Sequence, residues 1–141
     1  MTTGYSGTPL PKKLGVRPGS MLCLLDAPAG WQIADLPPEV TVVTAVAPGV
    51  DVTVAFCPDR HTLASRIDAL GAAIFPDRIL WIAWPRKAAG HVSDLDENGV
   101  RELALPRGLV DTKVAAIDHD WSGLKLVWRK ERRGAVSART R

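Results

Sequence analysis

Residues 78–84 read RILWIAW, and every side chain after the leading Arg is apolar. A short continuous apolar run of this kind reads as a strand that is apolar on both faces. Such a strand belongs in the middle of a sheet with cover on both sides. Strand alternation places Trp81 and Trp84 on opposite faces. Three earlier runs carry the same message. Met21–Leu25 (MLCLL) is a short apolar run between turn signals, and residues 40–46 (VTVVTAV) and 50–56 (VDVTVAF) are β-branched. Between them and RILWIAW the period changes. In residues 60–75, Leu63, Ile67, Leu70 and Ile74 repeat at helical spacing behind Asp59, an N-cap residue.

The remaining segments extend the alternation. Thr8 followed by Pro9 reads as an N-cap opening a short helix over 9–14, stopped by Gly15. Residues 31–36 have room for a helical turn or two before Pro37 and Pro38 end it. Asp94, Leu95, Asp96 and Glu97 open another helix, with acids where the helix dipole favours them. Residues 110–117 and 124–129 read as an antiparallel hairpin around a loop at 118–123. Strands alternating with helices predict an α/β fold with a mostly parallel sheet of about six strands. Helices lie on its faces, and the C-terminal hairpin adds an antiparallel edge. We expect an irregular arm at 1–8, a single domain at 9–130 and a basic, disordered tail at 131–141.

The chain of 141 residues has 46% hydrophobic and 23% charged residues, an ordinary globular balance. No run is long enough to span a membrane, and the N-terminus lacks the apolar core of a secretory signal. Cys23 and Cys57 sit in apolar stretches without a CxxC pair, which predicts buried, reduced thiols and a cytoplasmic protein. The net charge of +3 comes from the tail. Arg129, Lys130, Arg132, Arg133, Arg139 and Arg141 oppose only Glu131 there, so the body is slightly acidic. That balance argues against nucleic acid as the main partner, except through the tail.

Two resemblances follow from quoted residues. The order of elements is similar to a reduced, Rossmann-like version of the class I S-adenosylmethionine-dependent methyltransferases. The correspondence runs through Gly15-Val16-Arg17-Pro18-Gly19 before the first strand, Asp26-Ala27-Pro28-Ala29-Gly30 after it, and Pro76-Asp77 before RILWIAW. The ends GYSGTPLPKKLG and WSGLKLV, with WPRK and a following Gly90 between them, resemble a family of small bacterial proteins, a domain of unknown function. The first resemblance implies a cofactor loop at Asp26 and Gly30. This loop is degenerate. It holds one glycine where the cofactor-binding version needs several for close backbone approach and positive φ. No acid ends the second strand to hold a ribose. The reading is therefore a non-catalytic binding or regulatory domain without a cofactor, S-adenosylmethionine being disfavoured.

Other polar residues gather at the strand ends, where open α/β sheets bind ligands. Lys13, Asp26, Trp31, Arg86 and Lys87 form a candidate site for a small anionic ligand, with Asp59, Arg60 and His91 nearby. An enzyme acting on such a ligand, or a true S-adenosylmethionine-dependent methyltransferase as the first resemblance implies, is the alternative function, and an assembly factor using the basic tail on nucleic acid or protein is another. Asp118-His119-Asp120 reads as a turn at the hairpin tip, because no metal-ligand spacing accompanies it. Ser122 lacks the context of a nucleophile. Five Trp are many for this length. With few helices to cover two faces, an uncovered apolar face predicts a homodimer or a protein partner.

Overall fold

The computed structural model describes residues 8–133. The expected arm at 1–7 and the tail from 134 onward lie outside the described residues. Along the chain come α1 (Leu10–Leu14), β1 (Met21–Leu25), β2 (Thr41–Val43), β3 (Val52–Phe56), α2 (Arg60–Ile74) and β4 (Ile79–Pro85). Then follow a 3-10 turn at Lys87–Ala89, α3 (Glu97–Ala104), a second 3-10 turn at Leu105–Arg107, β5 (Leu109–Ala116) and β6 (Trp121–Trp128). Residues 131–133, expected within the tail, continue a helical turn begun at residue 130.

The six strands form one sheet in the order β2-β1-β3-β4-β6-β5. The first four run parallel, and β6 is antiparallel to both β4 and β5. The hairpin therefore does more than add an edge: its second strand lies inside, against β4, and its first forms the border. Hydrophobicity decides this placement. β6 buries Leu124 and Leu126 completely, whereas β5 is half-buried or exposed over most of its length.

RILWIAW is central, and each of its faces enters a different core. Leu80, Ile82 and Trp84 pack under α2 and α3 with Leu63, Ile67, Leu70 and Ile74. Trp81 and Ala83 enter the opposite core with Leu14, Leu22, Val54 and Phe56. Fully burying one such side chain contributes about 1.5–3 kcal/mol. Trp81 also donates its indole N–H to the carbonyl of Leu14 at 3.0 Å, which ties α1 to the sheet.

Three expectations need correction. No helix forms at 31–36. An isolated turn of helix costs more than one hydrogen bond returns, and an extended chain lets Trp31, Ile33 and Leu36 pack on the sheet. This segment, with α1, closes the face over β1, β3 and β4. Pro9, not Thr8, occupies the N-cap of α1, without a side-chain bond. Finally, Trp121, Ser122 and Gly123 belong to β6 rather than to a loop. A Cβ on Gly123 would lie 2.7 Å from Ile117 and 3.0 Å from Trp81, so this glycine serves close packing.

Candidate functional site at the carboxyl ends of the strands

The chain leaves β1 toward β2 on one side and enters β3 on the other. The strand order thus reverses between β1 and β3, and ligands in open α/β sheets bind outside the carboxyl ends at such a point. Three other connections share this edge: the β3–α2 turn, the segment after β4, and the β5–β6 loop at 117–120.

The loop after β1 starts with Asp26 at a φ of 57°. Its carboxylate forms an ion pair with Arg66 of α2. Arg66 Nη1 is buried and has no hydrogen-bond partner. Trp31 donates its backbone N–H to Pro28 at 2.9 Å, which closes a tight turn with Gly30 at a φ of 77°. A Cβ at Gly30 would meet nothing within 4 Å, so the glycine provides the turn and no close approach. Cys57 lies buried at the end of β3, and burial pushes its thiol up to about 11. Asp26 and Asp59 add to the rise, while Arg66 opposes it. Burial, then Asp26, likewise raises Cys23. Both stay protonated near neutrality and are poor nucleophiles.

On the α1 face, Trp31 stands edge-on to Phe56, and Phe56 edge-on to Trp121, each with ring centroids 5.0 Å apart. The indole N–H of Trp31 donates to Asp118 Oδ2 at 2.8 Å. Asp118 Oδ1 accepts from the backbone of Asp120 at 2.8 Å and of Trp121 at 2.9 Å. One carboxylate thus folds the β5–β6 loop and fastens Trp31 to it. Beside them lies a cavity of about 310 Å³ lined by Thr8, Leu10, Trp31, Ile33, Asp35 and Asp118, among others.

Arg86 reaches the same loop. It donates to the carbonyl of His119 at 2.9 Å through Nη1 and to that of Asp120 at 2.8 Å through its backbone. His91 Nε2 meets Asp120 Oδ1 at 2.9 Å. That bond, followed by the charges of His119, His91 and Arg86, holds the Asp120 carboxyl below its ordinary value. The Asp-His-Asp turn expected at the hairpin tip is present.

The five candidate residues therefore make their contacts at separate places along this edge. Trp31 and Arg86 grip the same loop from two sides. Asp26 turns to Arg66 on the α2 face, away from Trp31. Lys87 is exposed in its 3-10 turn. Lys13, in the last turn of α1, borders a small cleft of about 20 Å³ with Thr8, Leu10 and Ile117. Asp59 and Arg60 are used locally. Asp59 caps α2 by accepting from Thr62 at 2.8 Å, and Arg60 pairs with Glu102 of α3 at 2.6 Å. Sequence reasoning missed Arg66, Phe56 and the link between Asp118 and Trp31. Each involves residues far apart in the chain, for which no local pattern exists.

Among the described residues no three His, Cys, Asp or Glu side chains gather to hold a metal ion, and no helix is long and apolar enough to cross a membrane. No protein-family model matches the chain, and no curated protein matches it.

Proposed function

We propose that the chain is a methyltransferase-like domain that transfers no methyl group and serves as a small-ligand-binding or regulatory module. The observation that carries this reading is the pairing of Asp26 with Arg66 in the loop after β1. A cofactor cradle there needs backbone N–H groups and glycines open to the ligand. Instead the loop offers Ala27, Pro28, which has no N–H, and Ala29, and its one acid is neutralised by the protein's own Arg. The residues present do not fit S-adenosylmethionine.

The cavity beside Trp31 fits a different ligand. Its wall is mostly apolar, and its charged members, Asp35 and Asp118, are acids. A carboxylate or phosphate is repelled by such a wall, whereas an aromatic amine finds both a ring surface and an acceptor. This favours a binding module for a neutral or cationic ligand over an enzyme working on an anion.

Thermal-shift titration of the full chain tests the proposal. The expected result is no saturable shift with S-adenosylmethionine or S-adenosylhomocysteine. An aromatic amine such as tryptamine shifts the transition in the parent but not in Ile33→Arg, which fills the cavity with a cation. A saturable shift with S-adenosylhomocysteine overturns the proposal.

A further inference from the structure

β6 alternates strictly. Leu124 and Leu126 enter the core under α2 and α3, which leaves Gly123, Lys125 and Val127 on the α1 face. Lys125 stands opposite Trp81 of β4 on one side and opposite Lys113 of β5 on the other. Like charges directly opposite each other weaken a ladder. Neither ammonium group has a hydrogen bond or ion pair among the described residues. The nearest acid on β5, Asp111, lies on the other face and binds Arg101 of α3 at 2.9 Å.

A regular ladder does not produce this lysine pair. The register steps from Asp111 opposite Leu126 to Lys113 opposite Lys125, so Thr112 is an extra residue. Without the bulge, Thr112 faces Lys125 and Lys113 turns to the helix face. Burial accounts for part of the step, since it turns Ala115 and Ile117, the latter 1% exposed, toward the core of Trp81 under α1, while Val114 on the helix side stays 48% exposed. Bulges re-aim side chains and recur at functional positions. Here the bulge sets two lysines side by side on an open sheet face. The face continues through the cross-strand pair Val110 and Val127 toward the basic run Arg129, Lys130, Arg132 and Arg133.

We propose that this face of the β5–β6 ribbon docks the phosphate backbone of a nucleic acid, with Lys113 and Lys125 as its central contacts. Charge complementarity selects the occupant. Lys113 and Lys125 are directly opposite each other across the ladder, with Cβ atoms about 5 Å apart, so their long side chains can splay onto neighbouring phosphates, and phosphate contacts position a protein without reading sequence. An anionic membrane is a poorer fit. Interfacial binding needs a large apolar wedge, and the apolar side chains here are the half-buried Val110 and Val127.

Fluorescence anisotropy of labelled single-stranded and duplex oligonucleotides, with the full chain, tests this. Binding is expected at about 50 mM salt and is expected to weaken steeply by about 200 mM. Lys113→Glu and Lys125→Glu are each expected to cut affinity roughly tenfold and to lower the salt slope by about one to two, since each replaces a phosphate contact with a repulsion. Each variant also creates an opposite-charge pair across the ladder, so its melting temperature is expected to equal or exceed the parent's. Lost affinity then reports lost contact rather than lost fold. Absence of binding at low salt overturns the proposal, as does unchanged affinity in both variants, which leaves only the terminal basic run. Binding to anionic phospholipid vesicles with none to oligonucleotides overturns it as well.

Discussion

Asp118 shows how one side chain organises the carboxyl edge. It accepts two backbone N–H groups of its own loop and the indole N–H of Trp31, a residue 87 positions away. Trp31→Phe keeps the ring against Phe56 but removes the donor. A hydrogen bond to a charged group contributes about 1.5–3 kcal/mol, and urea unfolding should show a loss toward the low end, since the Asp118 carboxylate keeps its backbone donors. Titration offers a second residue-scale expectation. The fold holds Asp120 below its ordinary value, chiefly through the His91 bond, and Asp59 likewise through Thr62. A lowered carboxylate stabilises the fold fully above its unfolded value of about 3.9 and loses that effect as the pH falls through the lower folded value. Asp120→Asn should therefore flatten the loss of stability below about pH 4, read as urea midpoints across that range. It should leave the pH 7 to 8 slope unchanged. Cys57 is buried and protonated near neutrality. Alkylation by iodoacetamide at about pH 8 should be negligible in the folded chain and rapid after unfolding.

α2 is the element whose local rules are most complete. Asp59 caps it, the apolar residues repeat on one face, and Phe75-Pro76 ends it. Asp59→Ala should cost about 1 kcal/mol in chemical denaturation, and Asp59→Ser should recover most of that. This element and β1, β3 and β4 were legible because their patterns are local: helical spacing in one, continuous apolar runs in the others. The errors lie where tertiary packing overrides local signals. Gly123 reads as a turn residue because glycine favours turns, yet it lies in β6 because Ile117 and Trp81 need the space its side chain leaves. Trp31 to Leu36 has helical room, yet packing an extended chain on the sheet is worth more than one turn of helix. The internal contacts of the candidate anion site were hidden for a related reason. Arg86, Lys87 and Asp26 lie close to the right edge, but the sequence carries no sign that Arg66 and the His119 carbonyl engage two of them first.

At the scale of the whole molecule, the two cores are unequal in construction but share the same strands. Helices α2 and α3 form one layer. The other is α1 plus an extended segment, anchored at one end by the indole of Trp81 on Leu14 and at the other by that of Trp31 on Asp118. β3 is buried at every position and β4 at its five central ones, whereas β2 has three residues, none buried, and β5 is exposed over its middle. Local opening follows buried contact, since segments with few apolar contacts separate at low free energy while central strands open only with the whole fold. Native-state hydrogen exchange should therefore rank the strands. Backbone amides of Val54, Ala55 and Ile82 exchange only through global unfolding, and their rates follow the denaturant dependence of the global transition. Amides of β2 exchange through local opening, with little denaturant dependence. Those of β5 divide at the bulge, the Leu109 end protected under α3 and the Lys113 to Val114 stretch exposed. If β2 were as protected as β3, something beyond the described residues would have to pair with that edge. The sheet would then not end where its three short, unburied residues place the border.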